Sequence, residues 1–173
     1  MINALVRKKL ARTSAAPGKT RLANFYRVTR DGTPPFHLVD LPGYGYARGG
    51  DAAAREFEAL TGAYFSDRAG GNPQASRLAA ILLLVDSRHP GLESDRLASD
   101  WLRTLDAHRI VVATKTDKLT RAERARHLKE LERLHESPVL GVSVQTGEGL
   151  KELWKEIDSL LRPARPATEP PTP

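Results

Sequence analysis

The stretch His37-Leu38-Val39-Asp40-Leu41-Pro42-Gly43-Tyr44-Gly45-Tyr46-Ala47 decides the fold class. Its apolar beginning predicts a strand that ends at Asp40, and the Pro-Gly pair predicts a turn. Open α/β folds bind ligands at the carboxyl ends of their strands, so Asp40 could hold Mg²⁺, usually through water, and the Gly43 N–H could meet a terminal phosphate. Taken alone, the stretch is equally typical of a strand and a plain proline turn.

A second strand end lies downstream, in Val111-Val112-Ala113-Thr114-Lys115-Thr116-Asp117-Lys118. The Asp117 carboxylate can accept two hydrogen bonds from the N1–H and amine of guanine, which adenine does not offer, and the Lys115 stem can pack over the base. A solvated turn with a helix cap is the plain alternative. The Gly-rich turn after the next strand, which contains Ser143, offers backbone contacts to a base and favours the guanine interpretation.

Apolar runs alternate with amphipathic stretches along the chain, which predicts an α/β fold with a mostly parallel sheet covered by helices. The run Ile81-Leu82-Leu83-Leu84-Val85 is continuous, as in a strand buried on both faces. The predicted strands cover residues 24–30, 36–40, 79–86, 109–115 and 138–143, and the predicted helices cover 51–67, 93–108, 121–137 and 149–161. Trp101 and Trp154 recur with Leu at helical spacing and are predicted to anchor the core.

The composition indicates one domain and an anionic partner. A chain of 173 residues that is 40% hydrophobic suits a single core, expected over residues 1–161, and prolines at five positions predict a disordered tail over 162–173. A net charge of +6 favours RNA or the ribosome as partner. With no cysteine, no signal peptide and no long apolar run, we expect a cytoplasmic protein without disulfides or a membrane segment.

The segment Ala16-Pro17-Gly18-Lys19-Thr20 ends like a phosphate-binding P-loop but does not fit one. Thr13 stands where that loop needs its first glycine, and basic residues replace the apolar strand that should precede it. The better interpretation is a mobile loop whose Thr20 hydroxyl binds Mg²⁺ when a γ-phosphate is present. The surrounding cations predict a patch that faces RNA: Arg7, Lys8, Lys9, Arg12, Lys19 and Arg21.

Taken in order, these motifs resemble the EngB (YihA/YsxC) family of bacterial GTPases, from Ile2 to about Leu161. The match is carried by seven short segments: Arg12-Thr13-Ser14, Pro17-Gly18-Lys19-Thr20, Asn24-Phe25, the run from Asp40 to Ala47, Asp86-Ser87-Arg88-His89-Pro90, Asp100-Trp101-Leu102 and the run from Thr114 to Lys118.

The resemblance implies a three-layer P-loop GTPase fold of the Ras-like kind, GTP or GDP as ligand and Mg²⁺ as cofactor. The resemblance implies that Thr20 and Asp40 bind the magnesium ion. The implied phosphate contacts are Gly18, Lys19, Thr20, Arg21 and Leu22, together with Asp40, Leu41, Pro42 and Gly43. The implied guanine contacts are Thr114, Lys115, Thr116 and Asp117, with Val142, Ser143 and Val144 below the base.

Family members are implicated in large ribosomal subunit assembly and in normal cell division and septation. The resemblance therefore implies a large-subunit precursor or its rRNA as the partner of a monomeric protein. Tyr44 stands where Ras-like enzymes place the glutamine that orients the attacking water, so we expect slow GTP hydrolysis.

In the family, the residues that correspond to Ile2 to Leu5 follow a first strand and a Gly-x-x-x-x-Gly-Lys-Ser loop. Only Met1 precedes Ile2 here, so we expect a sheet without that strand and P-loop, from truncation or a start codon assigned too late. Losing roughly three charge-assisted hydrogen bonds would lower nucleotide affinity by about three to six orders of magnitude.

Two other function classes stay open. A nucleotide-impaired GTPase-like module would bind rRNA or the ribosome through its basic surface alone. A receiver-like domain would accept a phosphoryl group on Asp40 or Asp86, with Thr114 and Lys115 nearby. A receiver-like fold requires an acidic pair at the end of its first strand, and the opening residues of this sequence carry none.

Overall fold

The computed structural model describes residues 1–11, 23–43, 61–62, 64–65 and 78–162. The described helices and strands are, in chain order, α1 (Ile2–Val6), β1 (Asn24–Val28), β2 (Phe36–Asp40), β3 (Ile81–Asp86), α2 (Glu93–Arg103), β4 (Arg109–Thr114), α3 (Arg121–His135), β5 (Val139–Gly141) and α4 (Leu150–Leu161). A 3₁₀ turn, Thr116–Lys118, follows β4. The helix predicted over 51–67 and the tail predicted over 162–173 lie mainly outside the described residues.

Three strands form a parallel sheet in the order β3-β4-β5. β3 pairs with β4 from Ile81 opposite Arg109 to Asp86 opposite Thr114. β4 pairs with β5 from Val111 opposite Val139 to Ala113 opposite Gly141. The crossovers are made by α2 and α3, because parallel neighbours need a long connection. β1 and β2 form a separate antiparallel pair. The predicted α/β class with parallel strands is confirmed.

Apolar side chains cover both faces of this sheet. Val111 and Ala113 of β4 belong to one cluster, which also contains Leu102 of α2 and Leu131 of α3. The alternate residues of β4 belong to a second cluster, which contains Leu5 of α1 and residues of α4. Successive side chains of a strand point to opposite faces of the sheet, and helices pack on both faces. The fold therefore has three layers: helix, sheet and helix. The predicted tryptophan anchors are confirmed, since Trp101 packs against the first cluster and Trp154 against the second.

The strand buried on both faces is β4 rather than β3, so that prediction was wrong. Ile110, Val111, Val112 and Ala113 are all at most 6% exposed, whereas Leu84 in the middle of β3 is 39% exposed. Within the described residues β4 has a strand neighbour on each side and β3 pairs only with β4. A continuous apolar run indicates a core strand but does not show its place in the sheet.

Several helices and strands are shorter than predicted. The helix predicted over 93–108 ends at Arg103, because the Thr104 N–H and hydroxyl both donate to the Trp101 carbonyl, at 3.0 and 2.7 Å. A Thr hydroxyl that bonds the backbone offers an alternative to the next helical turn. β1 ends at Val28 and β5 spans only Val139–Gly141, shorter than the predicted 24–30 and 138–143.

Gly149 joins the end of β5 to the start of α4. Its φ is +76°, and a Cβ added there would lie 2.0 Å from the carbonyl oxygen of Gly141. Its own carbonyl accepts the first helical hydrogen bond of α4, from Leu153 N at 3.0 Å. Two backbones therefore meet at a distance that no side chain allows, and this contact fixes the loop between Val142 and Gly149 against the sheet.

The substitution Gly149→Ala should be much more destabilising than Gly32→Ala. Both glycines have φ of +76°, but a Cβ at Gly32 meets nothing within 4 Å. Gly32→Ala should cost about 1–2 kcal/mol for the left-handed backbone, and Gly149→Ala about 1–3 kcal/mol more for the clash. Urea unfolding of both variants measures the difference. Equal losses would contradict the close approach of Gly149 to Gly141.

Candidate nucleotide site

The carboxyl ends of β3, β4 and β5 meet at one edge of the sheet. Beyond the paired residues, the Ser87 N–H donates to the Thr114 carbonyl at 3.0 Å, and the Val142 N–H donates to the Ala113 carbonyl at 2.8 Å. The Thr114 hydroxyl bonds back to the Val85 carbonyl at 2.9 Å. The loops that follow the three strands therefore start from fixed, adjoining points.

Lys115 begins the loop after β4 in a left-handed conformation, with φ of 62° and ψ of 30°. This region is uncommon for residues other than glycine and persists where surrounding contacts hold it. The contacts here are the Lys118 N–H, which donates to the Lys115 carbonyl at 3.0 Å, and Thr116, which is only 2% exposed. The sharp turn reverses the chain after β4 and sets Asp117 beside the loop that follows β5.

The Asp117 carboxylate is held from the neighbouring loop. The hydroxyl of Ser143, which is fully buried, donates to Asp117 Oδ1 at 2.7 Å. The same hydroxyl accepts the N–H groups of Gln145 and Thr146, at 3.2 and 3.1 Å. One side chain therefore orients the carboxylate and orders the loop.

The charge on Asp117 is stabilised as well. The Ser143 hydrogen bond, and then Lys118 with Nζ 3.4 Å from Oδ2, hold the pKa of Asp117 below its ordinary value. The side chain remains 13% exposed. An ionised carboxylate has about four lone-pair positions, so Ser143 and Lys118 leave acceptor capacity for a ligand.

Asp86, at the end of β3, binds two cations. Arg88 donates from Nε to Oδ1 at 2.9 Å and from Nη2 to Oδ2 at 2.7 Å, and Lys115 Nζ lies 2.7 Å from Oδ2. The Arg88 hydrogen bonds first, and the Lys115 hydrogen bond after them, hold the pKa of Asp86 far below its usual range. Asp86 was not among the residues predicted for the nucleotide site, although Asp86-Ser87-Arg88 directly follows an apolar run.

The other predicted motif, residues 40–43, begins at the last residue of β2. Burial raises the pKa of the half-buried Asp40 carboxyl, and the nearby Met1 amino group partly offsets this. A cavity of about 1530 Å³ is bordered by residues 40–43 and also by Asp86, Thr114 and Lys115. The structure therefore brings residues 40–43 and the first two residues of the segment 114–117 to one cavity, although they lie on separate sheets, and Asp117 is not among the residues that border it.

The remaining predicted contacts differ in what they can offer. Val142 is fully buried and Thr116 is 2% exposed, so their side chains belong to the core and only their backbone can serve a ligand. Val144 is 47% exposed. The predicted phosphate and magnesium residues Gly18, Lys19, Thr20, Arg21 and Leu22 lie outside the described residues, as do Tyr44 and the residues up to Ala47.

Asp40 suits a magnesium ion, because Mg²⁺ prefers oxygen ligands and keeps most of its own water. A bound cation would also offset the burial that raises the pKa of Asp40. In the described part of the chain, no group of three His, Cys, Asp or Glu residues could form a metal site. Asp40 would therefore act as a single carboxylate, usually through water.

Residues 114–117 begin at the last residue of β4 in the parallel sheet, and residues 40–43 begin at the last residue of β2 in the separate antiparallel pair. The solved structures that resemble this chain share the P-loop GTPase fold. Residues 1–115 match the family described as "50S ribosome-binding GTPase". A crystal structure of Era in complex with MgGDPNP and nucleotides 1506–1542 of 16S ribosomal RNA has a TM-score of 0.76 at 20% identity, over 95% of this chain and 53% of that one.

The curated relatives narrow the class to one family. A "Probable GTP-binding protein EngB" from Alkaliphilus oremlandii (strain OhILAs) is 38% identical over 161 residues, which are 91% of this chain and 72% of the relative. Its counterpart from Thermotoga petrophila is 38% identical, over 94% of this chain and 80% of the relative. A crystal structure of an EngB protein has a TM-score of 0.67 at 20% identity, over 93% of this chain and 90% of that one. The chain belongs to the EngB family of GTP-binding proteins.

Two findings complete the comparison with the sequence-based predictions. Membership of a GTPase family leaves the receiver-like alternative without support. None of the helices within the described ranges is long and apolar enough to cross a membrane.

The substitution Ser143→Ala should shift the pH dependence of base preference. It removes the largest cause of the low pKa of Asp117, so that pKa rises toward its ordinary value and the carboxylate is neutralised at a higher pH as the pH falls. GDP affinity at pH 7 should also fall about tenfold, for one lost charge-assisted hydrogen bond. The ratio of GDP to ADP affinity, measured from about pH 7 down to about pH 3 and thus across the ordinary Asp pKa of about 3.9, tests this.

Ser159→Ala is the matched control, because the Ser159 hydroxyl bonds only the Glu156 carbonyl on the exposed side of α4. An unchanged pH profile in Ser143→Ala would show that Ser143 does not govern the charge of Asp117.

Proposed function

We propose that this protein binds GTP and GDP at the edge formed by β3, β4 and β5, hydrolyses GTP slowly, and acts in assembly of the large ribosomal subunit, with consequences for cell division and septation. The observation that supports guanine binding most strongly is the 2.7 Å hydrogen bond from buried Ser143 to Asp117. It leaves an oriented, charged acceptor at a strand end where open α/β folds bind ligands.

The proposed base recognition follows from the hydrogen-bond donors of each base and the acceptor positions of Asp117. Guanine presents N1–H and an exocyclic amine as adjacent donors, and the free acceptor positions of Asp117 match them. Adenine presents no such pair, and a carboxylate that a bound base covers without donating to it would be costly. The backbone of residues 142–144 would lie below the base, and the stem of Lys115 would cover its face.

The proposed phosphate contacts are the residues from Asp40 to Gly43 and the segment from Gly18 to Leu22. A magnesium ion, held by Asp40 through water and by Thr20, would supply charge neutralisation to the phosphates. Slow hydrolysis is proposed because Tyr44 stands where Ras-like enzymes place a water-orienting glutamine.

The proposed ribosomal role rests on charge and on relatives. Arg7, Lys8 and Lys9 form an exposed basic run directly after α1, and the chain carries a net charge of +6. The matching family is described as ribosome-binding, and the Era structure contains 16S ribosomal RNA. An RNA surface of a large-subunit precursor would complement this charge. That role places the proposed monomer in the cytoplasm.

Titration of fluorescent GDP, ADP and XDP tests base recognition. The wild-type protein should prefer GDP to ADP, and Asp117→Asn should lose about ten- to hundredfold in GDP affinity, because a charge-assisted pair is broken. The same variant should gain XDP affinity, because its amide can donate to the 2-oxo group of xanthine.

Asp100→Asn is the matched control, since Asp100 is exposed on α2. If the wild-type protein shows no preference for GDP over ADP, guanine recognition fails. Binding of rRNA without any nucleotide would then support the nucleotide-impaired module instead.

The substitutions Lys8→Ala and Lys9→Ala, made together, should weaken binding to large-subunit precursor particles. Each cation that neutralises a phosphate releases counterions, so the slope of log K against log salt should become shallower by about two. Co-sedimentation at several salt concentrations measures the slope. Lys151→Ala with Lys155→Ala is the control, because those lysines are exposed on α4. Equal slopes for both double variants would contradict an RNA contact after α1.

A further inference from the structure

A carboxylate outside the predicted base contacts holds the lysine that is proposed to cover the base. Asp86 Oδ2 lies 2.7 Å from Lys115 Nζ, while Arg88 binds both oxygens of the same carboxylate. The Arg88 N–H adds a further bond to Asp86 Oδ1 at 3.1 Å. A single carboxylate therefore connects the loop after β3 with the loop after β4.

The carboxylate itself is fixed by both neighbouring elements. The Ser87 N–H bonds the Thr114 carbonyl at 3.0 Å, and the Thr114 hydroxyl bonds the Val85 carbonyl at 2.9 Å. On the other side, His127 of α3 lies with Nδ1 2.8 Å from the Ser87 carbonyl. The backbone on both sides of Asp86 is thus anchored to β4 and to α3.

Lys115 needs such an anchor. Its side chain is 50% exposed, and a solvated lysine loses rotamer entropy when it is fixed in one position. A tether that fixes the ammonium before ligand arrives lowers that cost at binding. The two parallel hydrogen bonds from Arg88 keep the Asp86 carboxylate in one orientation. A lysine in place of Arg88 would not do this.

On the assumption that the proposed guanine site is correct, we propose that Asp86 and Arg88 are positioning residues of that site. Asp86 holds the Lys115 ammonium so that the methylene stem lies preformed where the base binds, and Arg88 fixes Asp86. Contact between an aliphatic stem and a base face does not depend on the exocyclic groups of the base. Asp86 and Arg88 therefore set affinity for purine diphosphates that Asp117 accepts, and Asp117 sets the choice among them.

Binding of GDP and IDP separates these two roles, because IDP lacks the 2-amino group that Asp117 would recognise. Asp86→Asn and Arg88→Gln should each weaken both ligands by about five- to tenfold and leave the GDP to IDP ratio unchanged. Asp117→Asn should change that ratio. The matched controls are Asp100→Asn and Arg96→Gln, which break an exposed ion pair of 3.5 Å on α2 and should change neither affinity.

A double-mutant cycle tests whether Asp86 acts through Lys115. In a Lys115→Met background, Asp86→Asn should have no further effect on GDP affinity, and Arg88→Gln should have none in an Asp86→Asn background. Additive losses would overturn the proposal, since they would show that Asp86 acts on the ligand or on the fold independently.

A second measurement needs no nucleotide. The ε-methylene group of Lys115, observed by NMR in the free protein, should be ordered in the wild type and mobile in Asp86→Asn and Arg88→Gln. A Lys115 side chain that is equally mobile in all three would overturn the tether.

The outcomes distinguish the two proposals. If the wild type prefers GDP to ADP but the Asp86 and Arg88 variants bind GDP normally, the tether fails and guanine recognition stands. If the wild type shows no guanine preference, guanine recognition fails and the positioning role falls with it, whatever the order of Lys115.

Discussion

The pairing of β4 with a parallel neighbour on each side is the constraint on which the described site depends. Parallel strands end at the same edge, so Asp86, Lys115 and Ser143 are brought together by register alone. Shifting β4 by one residue would turn Val111 and Ala113 toward the opposite helical layer and expose the core, so the hydrophobic pattern enforces the register. The free energy gained by burying the apolar side chains of β4 therefore fixes the positions of Asp86, Lys115 and Ser143. These polar groups themselves contribute little to that free energy.

The three carboxylates at this edge and at β2 are placed in different surroundings. Asp117 and Asp86 lie beside donors and cations that hold their pKa values low, whereas burial raises the pKa of Asp40. Asp117, which would accept hydrogen bonds from a base, is kept charged by Ser143 and Lys118 before any ligand binds. A group meant for a cation can remain poorly compensated until that cation arrives. The contrast agrees with the different ligands proposed for them.

Local pattern in the sequence was enough to predict the end of β2 at Asp40 and, to within one residue, the end of β4, which was predicted at residue 115 and lies at Thr114. Proline, glycine and polar residues follow apolar runs at both places. The local pattern did not show that β4 rather than β3 is the strand buried on both faces, since that depends on how many neighbours each strand has. It also missed the tether from Asp86 to Lys115, which spans 29 residues of sequence and exists only through the register of β3 and β4.

The close approach of Gly149 to Gly141 also bears on the order in which the chain is completed during its own synthesis. The loop that carries Ser143 is closed by this backbone contact and by the first turn of α4. Translation proceeds from the amino end, so β3, β4 and α3 leave the ribosome before the residues that close this loop. The partner that orients Asp117 is therefore among the last parts to be put in place, and a nascent chain that stops before α4 would carry the residues proposed to bind guanine without the geometry to use them.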